Sequence, residues 1–231
     1  MQASVNTSQI PVSEPRSKPV LAGDSPLTFS TIDEIVAEAS AGKMFVLVDG
    51  EDRENEGDLV IPAEFATPDA INFMMLNGRG LICLAIDNSI AKRLEIDLQP
   101  RRHVSEYYTA FTTSIEARIG VTTGISAHDR AHTIQVAIDP NSTAVDIATP
   151  GHIFPIIANN NGVLERPGHT EASVDIAKLA GLMPSAVVCE ILGDDGKAAR
   201  RKHLLEFAQK HNMLIGTVES LIKYRRNSLH L

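Results

Sequence analysis

Five apolar runs of strand length constrain the fold of this 231-residue chain most strongly. Each run is five to eight residues long, which is the usual length of a buried strand. Amphipathic segments lie between the runs, without an even βαβ rhythm. The sequence therefore predicts one α+β domain, a mixed β-sheet flanked by helices in a layered α/β/α-like sandwich. The runs predicted as strands are Met44–Asp49, Leu59–Ala63, Gly80–Asp87, Ile153–Ile157 and Ala186–Leu192.

Helix-start and helix-stop signals lie between these strands. Thr31 and Glu34 have the spacing of a capping box, and Gly42 ends the helix that they begin. Thr67 followed by Pro68 predicts another helix start. Further helices are predicted over 170–182, 200–210 and 218–225, and a helix or strand is predicted over 131–138.

The composition narrows the class of protein. Acidic residues outnumber basic ones 29 to 21, so the chain lacks the basic face that nucleic-acid binding needs. No run reaches the roughly 18 apolar residues of a membrane span, and the N-terminus has no hydrophobic signal-peptide core. Cys83 and Cys189 lie in apolar runs, which favours buried reduced thiols. These features predict a cytoplasmic protein that binds neither nucleic acid nor membrane, with a loose tail over 1–25 and a single domain over 26–231.

An acidic decapeptide, Asp49–Asp58, separates the first two predicted strands. It holds six carboxylates and one arginine, and the mutual repulsion of the carboxylates favours a divalent cation or a basic substrate. A solvated acidic loop is the alternative. An EF-hand is excluded because Ala63 stands where that loop needs a bidentate glutamate, and because the segment enters from a strand. A hard-metal site with few protein ligands therefore stays open.

Two similar turns, Thr149–His152 and Arg166–Thr170, each present a histidine after Pro-Gly. His169 leads into a predicted helix, whose free N–H groups, together with Arg166, favour an anion such as phosphate. Each histidine alone is more typical of a hydrogen-bonded turn. Two such turns with an arginine and a helix start indicate a binding site.

Two further features carry ionisable side chains. Glu190 lies inside an apolar run, where a carboxylate suits proton transfer, although it could also point outward from a half-exposed strand. His128 and His132 have the i, i+4 spacing of zinc-hydrolase ligands, but Asp129 is shorter than the glutamate of that motif. A zinc hydrolase is therefore a minor alternative.

Taken together, five segments resemble the 3,4-dihydroxy-2-butanone 4-phosphate synthases. They are DGEDRENEGDLV, GVTTGISAHDRAHTI, TPGHIFPI, RPGHTEASVDIAKLAGL and VVCEIL, within a stretch from about Phe29 to Tyr224. The resemblance implies a lyase of riboflavin biosynthesis that converts D-ribulose 5-phosphate to L-3,4-dihydroxy-2-butanone 4-phosphate and formate with Mg²⁺ or Mn²⁺. It also implies a homodimer with active sites at the subunit interface. Many relatives continue into a GTP cyclohydrolase II domain, and the end of this chain at Leu231 predicts the monofunctional form.

The resemblance also implies site residues. Glu54 and His169 match the family's metal ligands, and His152 and Glu190 match two positions essential to catalysis. Pro167 departs from the family pattern, in which glycine often stands there, and proline removes an N–H that could face the phosphate. The positions that match substrate contacts are Arg53, Glu54, Asp58, Arg166, Gly168, His169 and Thr170.

The implied reaction proceeds by enolisation, dehydration, skeletal rearrangement and C–C cleavage. Each stage develops negative charge on oxygen, which a divalent ion stabilises as a Lewis acid. We expect Glu190, His152 and the acidic segment, chiefly Asp58, to divide the proton transfers. A non-catalytic module that binds a sugar phosphate or a cation is the other alternative, and it would gain stability from its ligand without forming product.

Overall fold

The architecture of the chain is described from a computed structural model, for residues 28–100, 102 and 108–228. The tail predicted over 1–25 lies outside the described residues. Within those ranges, seven strands form a single sheet. They are β1 (Phe45–Val48), β2 (Gly57–Pro62), β3 (Cys83–Ile86), β4 (Ile115–Ala117), β5 (Ile147–Ile157), β6 (Ser185–Glu190) and β7 (Ile215–Thr217).

The sheet is mixed, as the sequence predicts. Its strand order is β4-β5-β3-β6-β2-β1-β7. The pairs β3–β5 and β1–β7 are parallel, whereas all the other neighbours are antiparallel. The strands β2, β3 and β6 lie in the middle of this order, with a neighbouring strand on each side. They are buried along almost their whole length.

Helices cover both faces of this sheet. They are α1 (Ile32–Ser40), α2 (Pro68–Phe73), α3 (Asn88–Arg93), α4 (Ala127–Ile138), α5 (His169–Leu179), α6 (Arg201–Lys210) and α7 (Val218–Ser228). Val46 and Val48 of β1 face a core cluster shared with α2, α3, α4 and α6. Phe45 and Leu47 face a second cluster shared with α1, α5 and α7. This alternation of side chains across β1 confirms the layered sandwich. Within the described residues, no helix combines the length and the apolar character that crossing a bilayer requires.

The helix starts follow from local chemistry. The Thr31 hydroxyl accepts a hydrogen bond from the Glu34 amide, and the Glu34 carboxylate accepts one from the Thr31 amide at 2.8 Å, which completes the predicted capping box. Thr67 caps α2, with Pro68 in its first turn. The segment 131–138 belongs to a helix that begins earlier, at Ala127, because Ser126 accepts from the Asp129 amide.

Three elements have no counterpart in the sequence analysis: α3, β4 and β7. Each contains six residues or fewer, too few to show a hydrophobic period. The strand β7 exists because its backbone pairs with β1, and β4 exists because its backbone pairs with β5. Both cysteines are buried and free, as predicted for the apolar runs that hold them.

A close backbone contact joins β4 to β5, and it yields a stability prediction. A Cβ at Gly151 would lie 2.1 Å from the carbonyl carbon and oxygen of Ile115, which cannot move aside as a side chain could. We expect Gly151→Ala to lower the free energy of unfolding by about 2–3 kcal/mol. Urea denaturation measures this, with Gly193→Ala as the control, because its Cβ would come no nearer than 3.1 Å to the Asp195 carboxylate and 3.6 Å to the Lys197 carbonyl oxygen. Equal losses in the two variants would contradict the prediction.

Candidate active site

A polar pocket lies where β2 and β6 meet the start of α5. Asp58 and Glu190 are direct partners in the antiparallel β2–β6 pair, so their side chains share one face of the sheet. His169 and Thr170 begin α5 beside them. Seven of the predicted site residues line this pocket: Arg53, Glu54, Asp58, Arg166, His169, Thr170 and Glu190. Its lining also includes Glu56, Cys83, Thr109, Phe111, Ile156 and Val188.

Asp49 organises the acidic turn between β1 and β2. Its buried carboxylate accepts from the Glu56 amide at 2.8 Å and from the Glu54 amide at 3.3 Å. The Arg53 guanidinium donates to the same carboxylate at 2.6 Å and also contacts Glu54. The decapeptide is therefore an ordered turn built around a buried carboxylate, and the alternative of a solvated acidic loop is wrong for this part of it.

The pocket fits a divalent cation. Asp49, Glu54 and His169 each offer a ligand atom, and these atoms lie within 4.8 Å of one another. Among the described residues, no hydrogen-bond partner meets His169 Nε2 or Asp58 Oδ1, although both atoms are buried. Buried polar atoms without partners are costly, and a bound cation would satisfy them. Asp49 is the member that the sequence analysis missed, because six acids in ten residues look alike until the fold buries one.

Burial and like charge set the protonation of the pocket. Burial and the nearby Glu190 carboxylate raise the pKa of Asp58 well above its usual range. Burial lowers the pKa of His169, which favours the neutral imidazole that a metal ion needs. The 3.9 Å between His169 Nδ1 and Asp58 Oδ1 is too long for a hydrogen bond, and a neutral imidazole makes no ion pair there. Burial also raises the pKa of the Cys83 thiol, so it stays protonated.

These charges predict that Asp58→Asn stabilises the metal-free protein. We expect the unfolding midpoint in EDTA at pH 7.5 to rise by roughly 2–6 °C, because the wild type must, on folding, either bury the Asp58 charge among other carboxylates or take up a proton there. An acid whose folded pKa is raised contributes less stability as pH rises, so the difference from wild type should vanish below about pH 4 and grow towards neutrality. Thermal unfolding across pH measures it, with the exposed Asp194→Asn as the control. A midpoint equal to that of the wild type at pH 7.5 would refute it.

Glu190 points into the pocket. Its Oε2 accepts from the Leu81 amide at 2.8 Å. A Cβ at Gly80 would lie 2.4 Å from the same oxygen, so glycine there allows the carboxylate to approach the backbone. The alternative, in which Glu190 points outward from its strand, is therefore wrong.

Arg166 lies at the start of α5, as predicted. Its Nη1 donates to the buried Glu171 carboxylate at 2.6 Å, and its Nη2 donates to the Thr109 hydroxyl at 3.2 Å. Burial raises the pKa of Glu171, and the Arg166 charge opposes that rise. Gly168 is the N-cap of α5, and a Cβ there would lie 2.4 Å from Arg166 Nη1. Pro167 lines a neighbouring groove instead of the pocket.

His152 lies outside the pocket of its own chain. It projects from β5, where its Nδ1 is 2.6 Å from Glu116 Oε2 on β4. Its side chain is 43% exposed. Within one chain, the pocket is therefore lined by seven of the nine predicted site residues. Gly168 lies beside it at the helix start, and His152 lies outside it.

Two residues of the His128–His132 motif make structural contacts. His132 Nε2 is 2.9 Å from the Ile119 carbonyl oxygen. Asp129 accepts from the amide and hydroxyl of Thr122 and from the Gly124 amide. In the described ranges the one candidate metal cluster is the Asp49 group, so nothing in this part of the chain supports a zinc hydrolase.

Comparison with known proteins points to one family. A family model described as 3,4-dihydroxy-2-butanone 4-phosphate synthase matches residues 33–224. A protein of that name from Neisseria meningitidis serogroup B is 52% identical over 196 residues, which cover 85% of this chain and 54% of that protein. The chain thus spans about half the length of the curated relatives that it matches first.

Two solved structures have the same fold. A two-domain 3,4-dihydroxy-2-butanone 4-phosphate synthase from A. baumannii superposes with a TM-score of 0.82 at 49% identity, over 85% of this chain and 58% of that one. A 3,4-dihydroxy-2-butanone 4-phosphate synthase in complex with two magnesium ions superposes with a TM-score of 0.81 at 33% identity, over 86% of this chain and 98% of that one. The likeness therefore extends across nearly all of the described sheet and helices.

Proposed function

Because the chain belongs to the 3,4-dihydroxy-2-butanone 4-phosphate synthase family, we propose that it converts D-ribulose 5-phosphate to L-3,4-dihydroxy-2-butanone 4-phosphate and formate in riboflavin biosynthesis. The observation that carries the proposal is the pocket in which Glu54 and His169 face Asp58 and Glu190. It combines a place for a hard cation with carboxylates that can exchange protons. A lyase that removes formate from a ketose phosphate needs both.

Glu54 and His169 are the proposed ligands of Mg²⁺ or Mn²⁺, with Asp49 within reach. The unpartnered Nε2 of His169 and the crowding of the carboxylates support this assignment, as does the related protein in complex with two magnesium ions. When bound, the cation would act as a Lewis acid on oxygens that develop negative charge. With so few protein ligands, positions stay open for substrate oxygens.

Arg166 and the start of α5 are the proposed phosphate site. Arg166 is held between Glu171 and Thr109, so its guanidinium has a defined orientation. The free N–H groups at the first turn of α5 add partial positive charge beside it, and Thr170 adds a hydroxyl. A phosphate held there would orient the reacting carbons towards Asp58 and Glu190.

Glu190, Asp58 and His152 are proposed to divide the proton transfers. The Leu81 amide holds the Glu190 carboxylate in one position, which suits a base that must meet a particular C–H bond. Asp58 favours its protonated form, so it can donate a proton to a leaving hydroxyl. His152 is not among the residues that line this pocket within its own chain.

The chain is therefore proposed to act as a homodimer in which each subunit contributes His152 to its partner's pocket. Large exposed apolar side chains near the β4–β5 edge support a covered surface there: Ile119 at 82%, Ile125 at 54% and Val145 at 66% exposure. The exposed ring of His152 lies on the same edge. A two-fold axis beside this edge would bring each histidine to the second copy.

Subunit complementation tests this arrangement. His152→Ser and Glu54→Gln, each expected to lose nearly all of its activity alone, are co-expressed with different tags, and the mixed dimer is isolated through both tags. One of its two sites is intact, so we expect about half of the wild-type activity. If His152 served its own subunit, neither site would be intact, and the mixed dimer would stay as inactive as its parents.

The reaction itself is tested by ¹³C NMR of D-ribulose 5-phosphate with the purified protein and Mg²⁺, and with EDTA as the control. We expect formate and a four-carbon ketone phosphate only with the metal. Unchanged substrate with both Mg²⁺ and Mn²⁺, together with ligand-dependent stabilisation, would instead indicate the non-catalytic sugar-phosphate binder.

A further inference from the structure

The carboxylate of Glu116, on the edge strand β4, contacts His152. Glu116 Oε2 lies 2.6 Å from His152 Nδ1 and accepts from the His152 backbone amide at 3.2 Å. One oxygen thus contacts both the ring and the backbone of the same residue. Because the backbone is held with the ring, the contact limits rotation of the histidine side chain as well as its position.

Glu116 is itself held from its other side. Its Oε1 accepts from the hydroxyl of Thr133, which is fully buried in α4, at 3.0 Å. The Thr133 hydroxyl in turn accepts from the Ala117 amide at 3.0 Å. Only 13% of the Glu116 side chain is exposed. The carboxylate therefore has a defined orientation before it meets the histidine.

The backbone of Gly124 packs closely against the Glu116–His152 pair. A Cβ at Gly124, whose φ is +87°, would lie 2.0 Å from Glu116 Oε2 and 2.5 Å from His152 Nδ1. The Gly124 amide donates to the Asp129 carboxylate at 3.1 Å, and hydrogen bonds from Thr122 lower the pKa of Asp129 to about 2. Asp129 therefore stays charged and holds this loop against the pair. The hydroxyl- and glycine-rich segment before α4 therefore helps to hold Glu116 and His152 in place.

We propose that Glu116 is a positioning residue that holds His152 as the Nδ1–H tautomer, leaving the Nε2 lone pair to take a proton. An ionised carboxylate only accepts hydrogen bonds, so the proton between the two groups belongs to Nδ1. When Nε2 takes a proton, the adjacent carboxylate stabilises the resulting imidazolium. The role of this tautomer in proton transfer rests on the proposed function of His152. The assignment of the tautomer itself does not depend on that function.

The tautomer is tested by NMR of protein labelled with ¹⁵N-histidine, in which His152 is assigned from the signal that His152→Ser removes. We expect a protonated Nδ1 and an unprotonated Nε2 in the wild type, a shift towards the other tautomer in Glu116→Leu, which removes the acceptor, and the wild-type pattern in Glu116→Asp. A protonated Nε2 in the wild type, or identical spectra in wild type and Glu116→Leu, would overturn the proposal. This readout needs no catalytic activity.

A double-mutant cycle separates positioning from a structural role. Glu116→Gln should lower kcat by about 10- to 100-fold with KM changed less than twofold, and Glu116→Asp should recover part of the loss. In the His152→Ser background, Glu116→Gln should cost nothing more. Losses that multiply in the double variant would show a structural role and overturn the positioning role. If His152→Ser alone had normal turnover, the proposed function of His152 would fail while the tautomer result still stood.

Discussion

Glu190→Gln should release formate at least ~100-fold more slowly than the wild type, and its unfolding midpoint should stay within a few degrees. Glutamine keeps the shape of glutamate, and its oxygen can still accept from the Leu81 amide. What it cannot do is take up and return a proton. Removing one of several crowded carboxylates should not cost stability, so the loss would belong to the chemical step.

The measurement is formate release at saturating substrate and Mg²⁺, together with thermal unfolding. Glu206→Gln is the matched control, because Glu206 is a half-exposed acid on α6 whose partner Lys202 is also on the surface. Turnover within a few-fold of the wild type would remove Glu190 from the proton transfers. The fully buried Asp58, whose pKa burial raises well above its usual range, would then be the stronger candidate for the proton transfers.

Glu54→Gln should remove most of the stabilisation that Mg²⁺ gives to the wild type. At a concentration one hundred times its dissociation constant, a bound ion adds about 2.7 kcal/mol. For a chain of this size that is roughly 5–10 °C in the unfolding midpoint. Because Glu54 supplies a ligand oxygen that an amide replaces poorly, we expect most of this shift to disappear, and turnover to fall with it.

Thermal unfolding with increasing Mg²⁺ makes this test independent of activity. Glu51→Gln is the control, since Glu51 lies in the same acidic turn but its side chain is 74% exposed. An unchanged Mg²⁺ response in Glu54→Gln would remove Glu54 from the metal site. An equal loss in both variants would mean that the ion is attracted by the overall charge of the turn and not bound at a particular group.

The sequence predicts the helices whose capping residues lie next to them in the chain. The capping box at Thr31 and the proline after Thr67 have counterparts in the structure because they act within one turn of backbone. The three-residue strand β7 carries no such signal. It forms because the neighbouring β1 offers backbone hydrogen bonds, which the residues of β7 alone do not reveal.

The site residues likewise fall into those that a local sequence pattern predicts and those that only the fold reveals. Arg53, His169 and Glu190 stand out in the sequence because each lies in an unusual local pattern. Glu116 does not, since its partner His152 is 36 residues away and the two meet only through the pairing of β4 with β5. Contacts of this kind depend on the register of the sheet, which residues distant in sequence determine together.

The antiparallel pairing of Asp58 with Glu190 also determines which insertions and deletions the site can survive. Residues opposite each other in such a pair have Cβ atoms about 5 Å apart, a spacing set by backbone hydrogen bonds and not by flexible side chains. Adding or removing one residue within β2 or β6 would turn one carboxylate to the far face of the sheet. Insertions and deletions that preserve the site should therefore be confined to segments outside β2 and β6.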